Sequence, residues 1–281
     1  MVNINLQNRV AVVTGAGGTL CSEMARALAQ QEIKVALIGR DMNKLVQVEE
    51  QIKAEGGTAI SVSADVSDQQ KVEEAQVLIK KELGICSILI NGAGGNQPDA
   101  ITTINEFEEQ ELDDGSADFR GFFNLDMEKF KSVIEVNTMG TVISSFVFGK
   151  DMARTKQGCI INIASMNSYR PLSRVAAYGI AKAGIANFTQ WLAAYLAPAN
   201  IRVNAIAPGF FLNERSKKLL LTPEGYSSRG ANIIQHTPMG RFGEATELIG
   251  CMNWLINDEA AGFVTGTVIP IDGGFLASSG V

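Results

Sequence analysis

Short runs of apolar, largely β-branched residues alternate with longer stretches whose apolar positions follow the helical period. The runs predict strands at 10–13, 35–38, 59–62, 88–90, 160–163, 203–206 and 268–271. Between them the helical period predicts helices over 20–30, 43–55, 69–83, 127–152, 176–196 and 245–255. The strand runs are apolar almost throughout, which marks strands covered on both faces in a parallel sheet. Asp41 and Asp68 stand where N-caps are needed, and Gly56-Gly57 and Gly84 supply left-handed stops. Seven strands with helical crossovers predict a single doubly wound α/β domain over 1–281, with no linker and no internal repeat.

Two segments break this rhythm. Residues 96–126 show no strong period and carry eight Asp or Glu between Asp99 and Asp118. This insertion reads either as a solvated surface excursion or as a flap over a site. Phe107, Phe119, Phe122 and Phe123 within it predict that part of it packs down. Residues 210–242 follow a strand end on the side where open α/β sheets bind ligands, and read as a substrate-side lid.

Composition narrows the function. With 281 residues, 46% hydrophobic and 19% charged, the chain has the make-up of a compact protein with a substantial core. A net charge of −6 without a Lys/Arg cluster argues against nucleic acid or an anionic membrane as partner. The apolar runs break before the ~18–20 residues of a membrane span, and residues 1–9 carry no secretion signal. Cys21, Cys86, Cys159 and Cys251 are scattered, with no Cys-x-x-Cys and only one histidine, His236. They predict core cysteines in a reducing, cytoplasmic compartment and no metal site.

The candidate chemistry begins at Thr14-Gly15-Ala16-Gly17-Gly18-Thr19-Leu20, between the first strand and first helix. Glycines there let the backbone approach a pyrophosphate, whose charge the helix N-terminus stabilises. Asn91-Gly92-Ala93-Gly94-Gly95 ends the fourth strand, where small residues leave room for a ribose. Asp65, after the third strand, suits the amino group of an adenine. The second strand ends in Gly39-Arg40, without the acid that would bind a free 2′-hydroxyl. A guanidinium suits a 2′-phosphate, which leans toward NADP. Asp41 follows at once and the glycine turn holds no second basic residue, so NAD stays open.

Downstream, Asn137, Ser165, Tyr178 and Lys182 fall in order at predicted strand ends and on helices. Tyr178 and Lys182 are one helical turn apart and project from one face. A phenol titrates near ~10, and a nearby cation pulls it toward neutrality. Ser165, ending an apolar run, can hydrogen-bond the same substrate oxygen. This is apparatus for moving a proton while a cofactor moves a hydride.

With these pieces in place the chain resembles the short-chain dehydrogenase/reductase family from Gln7 to its C-terminus. The residues that carry the resemblance are Thr14-Gly15, Asp65-Val66, Asn91-Gly92-Ala93-Gly94, Asn137, Ser165, Tyr178 with Lys182, the run from Ile201 to Pro208-Gly209, and Asp272-Gly273-Gly274. The resemblance implies a Rossmann-type sheet and an oxidoreductase that uses NAD or NADP. It implies Tyr178 as acid/base, Ser165 as the group holding the substrate oxygen, and Lys182 as ribose ligand and modulator of the phenol. It implies that Asn137 positions a water in the proton relay. Asn91 would lie beside the cofactor, and the backbone of Pro208, Gly209 and Phe211 would meet the nicotinamide amide. Thr19 and Cys21 depart from the pattern, standing where the family has glycine, and Asn213 stands where a Thr is frequent.

Asn91 to Asn96, Ser165-Met166-Asn167, Pro208 to Leu212, His236 to Gly243 and the ending Asp272 to Gly280 are similar to the D-mannonate oxidoreductase (fructuronate reductase) branch. That implies a sugar acid whose hydroxyl and ketone are interconverted. Asn96, Asn167 and His236 are candidates to hydrogen-bond such a substrate, and Arg170 or Arg174 to meet its carboxylate. A gluconate or other polyol dehydrogenase, a 3-ketoacyl-type reductase and a non-catalytic dinucleotide-binding regulator are the alternatives. Apolar positions on more than one face of the helices at 127–152 and 176–196, with the family's habit, predict a homotetramer.

Overall fold

All five positions of β1 (Val10–Thr14), all six of β5 (Gly158–Ile163) and all eight of β6 (Ile201–Pro208) are buried. Strands with no wet side chain need cover on both faces, and helical crossovers between parallel strands provide it. The computed structural model describes residues 7–113, 116, 118–223 and 225–278. The first six residues of the segment searched for a secretion signal and the last positions of the C-terminal motif lie outside these.

With β2 (Lys34–Gly39), β3 (Ala59–Ser63), β4 (Cys86–Asn91) and β9 (Val268–Ile271), the strands form one parallel sheet of seven. Its order is β3-β2-β1-β4-β5-β6-β9. Every predicted strand is present, up to two residues longer at an end. On one face α1 (Thr19–Ala29), α2 (Met42–Ala54) and α9 (Ile249–Ile256) bury Met24, Leu28, Leu45, Ile52 and Met252. On the other, α3 (Gln69–Glu82), α5 (Gly140–Thr155) and α6 (Ala176–Leu196) bury Val72, Ile79, Phe148 and Leu192. Burial of each large side chain is worth about 1.5–3 kcal/mol. The result is a Rossmann-like single domain.

Asp41 and Asp68 cap α2 and α3 as expected, accepting from Lys44 N at 3.3 Å and Lys71 N at 3.2 Å. Gly56 and Gly84 have φ of 84° and 113°. Gly57 is not left-handed; it is small because a Cβ there would sit 2.9 Å from that of Ala29. The helix predicted over 127–152 is broken in two. α4 (Met127–Ile134) and α5 are joined by one π turn, Glu135–Met139, and the helix predicted over 245–255 opens as a 3₁₀ turn, Ala245–Leu248. The whole of Met127–Thr155 is long and apolar enough to cross a membrane by length and composition, contrary to the expectation of interrupted runs. Half of its most apolar 18-residue window is buried against the sheet and neighbouring helices, which accounts for that apolarity.

The 96–126 insertion is organised by two charged side chains. Arg120 donates to Pro98 O at 2.7 Å and pairs with Asp99 at 3.1 Å. The buried Glu111 carboxylate accepts from Phe123 N at 3.2 Å. Phe119 is half-buried, but Phe107, Phe122 and Phe123 are exposed and meet edge-on, so the insertion does not pack down through them. Residues 210–242 fold as a small layer of their own: α7 (Glu214–Leu220), a two-stranded ladder of β7 (Leu221–Thr222) and β8 (Gly225–Tyr226), and α8 (Ser228–Gln235). Leu220, Ile233 and Phe242 form its apolar centre.

Candidate active site

From β1 the chain order runs outward in both directions, through β2 on one side and β4 on the other. A crevice opens outside the carboxyl ends of the strands at such a switch point. Both glycine turns lie there and they touch. Gly15 has φ 70°, and a Cβ on it would lie 2.8 Å from Ala93 N. Thr14 Oγ1 accepts from Gly92 N at 3.1 Å and Ala93 N at 3.2 Å, tying the end of β1 to the turn after β4. A Cβ on Gly92 would fall 2.1 Å from Cys21 Sγ, so the cysteine that departs from the family pattern fills the space beneath this turn. Burial pushes the Cys21 thiol up to about 12, against the pull of the Lys182 charge.

α1 begins at Thr19 after Gly18, with no side-chain cap and no acidic residue in its first turn. Its first N–H groups and the exposed Thr19 hydroxyl, which makes no hydrogen bond among the described residues, suit a pyrophosphate. Leu20 packs onto the core beneath. Gly17 faces the stem of Lys44 on α2, whose Cβ would be 3.0 Å from a Cβ there, while the Lys44 ammonium lies 3.9 Å from Asp41. At the end of β2 the exposed Arg40 lies 3.8 Å from Asp65. Burial raises the Asp65 carboxyl, but the Ser67 hydroxyl and N–H and the Arg40 charge outweigh it and hold it below its ordinary value. Val66 packs on Gly140, where a Cβ would be 2.5 Å away. Asn91 is buried and donates to Ser145 Oγ and Asn162 Oδ1, both at 2.9 Å. These residues together fit a nicotinamide dinucleotide.

Ser165 follows β5, accepts from Asn167 N at 3.1 Å, and lies beside the half-buried Tyr178. Lys182 is 4% exposed; its Nζ donates to Ile163 O at 2.8 Å and lies 5.4 Å from the Tyr178 ring centroid. Burial raises the Tyr178 phenol above its ordinary value, and the Ser165 hydroxyl lowers it less. Burial lowers Lys182 to about 8. The depressed phenol expected from the sequence is therefore not a property of the protein alone. The low-dielectric setting favours the neutral form of both groups.

Asn137 sits in the π turn, fully buried. Its Nδ2 donates to Gly95 O and Val133 O, both at 2.8 Å, and its Oδ1 accepts from Gly95 N at 3.1 Å. The side chain thus clasps the turn after β4. A Cβ on Gly94 would lie 2.2 Å from Asn137 Oδ1. Pro208 closes β6, and Gly209 N donates to Ile271 O at 2.9 Å. The Phe211 ring packs against Gly243, which turns it from the crevice and leaves its backbone there. Asn213 Oδ1 accepts from Ser216 N at 2.8 Å, which commits it to the start of α7.

Of the residues predicted to touch substrate, Asn167 is buried and accepts from Leu172 N at 3.0 Å. Arg174 and His236 share a cleft of about 510 Å³ with Asn105 and Arg229. Arg170 is not part of it, donating instead to Ser278 O at 3.1 Å. Asn96 follows the clasped Gly95 and is not among the residues lining that cleft. The sequence analysis missed Arg229, because nothing in the lid's period marks one arginine as facing the cleft.

A family model for short chain dehydrogenase matches residues 9–223. The chain belongs to this family. Its members are oxidoreductases that use NAD or NADP. The short-chain dehydrogenase chain is 45% identical over 278 residues to an oxidoreductase called UxuB from Bacillus subtilis, covering 99% of this chain and 98% of that one. A solved structure from Haemophilus influenza, provisionally named a D-mannonate oxidoreductase and containing NAD, superposes with a TM-score of 0.93 at 42% identity over 99% of both chains. A provisionally named gluconate dehydrogenase from Agrobacterium tumefaciens gives 0.84 at 28% identity, over 97% and 98%.

Proposed function

We propose that this short-chain dehydrogenase interconverts a secondary hydroxyl and a ketone on a sugar acid, with D-mannonate and D-fructuronate as the pair. The observation that carries it is the buried Lys182, held by Ile163 O with its Nζ 5.4 Å from the Tyr178 ring centroid, beside two interlocked glycine turns at the sheet's switch point. The likeness to the Haemophilus protein supports the choice of sugar acid. A bound nicotinamide dinucleotide supplies or accepts the hydride. Tyr178 gives a proton to the substrate oxygen in reduction and takes it in oxidation, while Ser165 holds that oxygen. Lys182, charged below about pH 8, stabilises the phenolate at the moment it forms. Asn137 acts by position: it keeps the turn after β4 pressed against Gly15.

We infer that the site takes both NAD and NADP. Arg40 and Lys44 are the cations a 2′-phosphate meets, and Asp41 is occupied as the cap of α2. The NAD-bound relative supports use of the unphosphorylated form. The four cysteines are free, which supports a cytoplasmic location. Stacked Phe188, Trp191 and Tyr195 on α6 support assembly into a homotetramer.

The test is a panel of hexonates, their keto acids, neutral polyols and a ketoacyl thioester against NAD(H) and NADP(H), followed by cofactor absorbance. Turnover of a mannonate–fructuronate pair supports the proposal; turnover of the thioester alone overturns it.

A further inference from the structure

The cleft shared by the lid and the residues before α6 holds two guanidinium groups and no carboxylate. Its walls include Asn105 of the insertion, Arg174 four residues ahead of Tyr178, and Arg229, Asn232 and His236 from α8 and its end. Arg174 and Arg229 lie close enough that the charge of the first adds to partial desolvation in lowering the pKa of the second. Among the described residues neither makes an ion pair. In a chain of net charge −6, two cations facing one cavity without an acid are a local excess that an anion relieves.

Arg174 is held there at a cost. Its φ is 75°, in the left-handed region where a residue other than glycine is strained. Two bonds from the insertion hold it: its Nε donates to Asn105 Oδ1 at 2.7 Å, and its carbonyl accepts from Thr102 N at 3.1 Å. With Nε taken, the outer fork of the guanidinium remains for a carboxylate. His236 donates from Nδ1 to Asn232 O at 2.8 Å, which turns Nε2 outward as an acceptor for a hydroxyl. Two hydrogen bonds through Asn167 link the wall to the reacting oxygen's site, since Leu172 N donates to Asn167 Oδ1 and Asn167 N to Ser165 Oγ.

We propose that Arg174 and Arg229 form a carboxylate clamp for a polyhydroxy acid, with Asn105 of the 96–126 insertion setting the orientation of Arg174. This rests on the oxidoreductase reading above and assigns the insertion a part in specificity. The clamp selects a hexonate over the alditol of equal length, because only the acid relieves the repulsion between the two guanidiniums.

Two measurements test it. In steady state with a hexonate, Arg229→Gln raises KM on the order of 10- to 100-fold, the loss of a charge-assisted pair, with a much smaller fall in kcat. Arg229→Lys restores part of the loss, Asn105→Ala raises KM less, and preference for the acid over the alditol falls with each. An unchanged KM in Arg229→Gln, or equal losses for acid and alditol, overturns the clamp. In calorimetry, Tyr178→Phe with cofactor binds the hexonate as wild type does, and adding Arg229→Gln removes that binding. Failure of Tyr178→Phe to bind any hexonate overturns the clamp, whereas binding without turnover in the wild type overturns the oxidoreductase reading and leaves the clamp standing.

Discussion

At the scale of single residues, the site depends on contacts a sequence period does not encode. A Cβ on Gly92 collides with Cys21 Sγ. Gly92→Ala is expected to cost about 1–3 kcal/mol by overpacking and to weaken cofactor binding. Combining it with Cys21→Gly recovers most of that stability in chemical denaturation; no recovery would show that the strain lies elsewhere. Tyr178→Phe is expected to lower kcat at least ~10²-fold, the worth of general acid–base catalysis, while cofactor titration stays near wild type. Near-normal turnover would remove the phenol from the mechanism. Lys182 gives a pH signature. Its folded value of about 8 is below the unfolded value near ~10.4, so between these the unfolded chain binds more protons. Stability of the cofactor-free protein therefore rises with pH across that window, by about 3 kcal/mol at most. Above it the raised Tyr178 acts in reverse, because the folded state then holds the extra proton. Lys182→Met should abolish the rise in melts taken across the window; a rise that persists assigns it to other groups.

At the scale of elements, the π turn between α4 and α5 decides where Asn137 points. One extra residue in the turn rotates everything after it, bringing this side chain onto Gly95 while α5 keeps its apolar face on the sheet. Asn137→Ala removes three hydrogen bonds and leaves buried partners unpaired, for an expected loss of about 2–4 kcal/mol. The freed Gly94-Gly95 turn should raise the cofactor Kd before it alters kcat. Denaturation and cofactor titration check both, and an unchanged Kd would separate the clasp from the cofactor site. The insertion shows a related principle, since its bonds form through Arg120 and the buried Glu111 while Phe107, Phe122 and Phe123 stay in water.

At the scale of the whole molecule, α6 buries one side and leaves an aromatic ladder on the other. Trp191 is 58% and Tyr195 67% exposed, stacked 5.1 Å apart, with Ile180 also exposed on the same helix. Apolar surface of this kind favours association. If the proposed homotetramer forms through this ladder, replacing both Trp191 and Tyr195 with Asp shifts the protein to smaller species in light scattering. An unchanged mass would move the interface elsewhere.

The sequence by itself determined the sheet, its seven strands and the order of the chemical groups along it. Apolar runs and glycine turns are local signals, and the strand ends they mark are where Gly15, Asn91, Ser165 and Gly209 came to lie. Tertiary structure alone decided what depends on two distant segments meeting. Arg229 joined Arg174 because the lid folds back over the residues before α6. Arg170 left the site for the C-terminal segment, and the stem of Lys44 came to lie against Gly17 from another helix. The pKa values of Tyr178 and Lys182 belong to this second kind, because burial is set by the packed whole and outweighs the charge that residue spacing advertises.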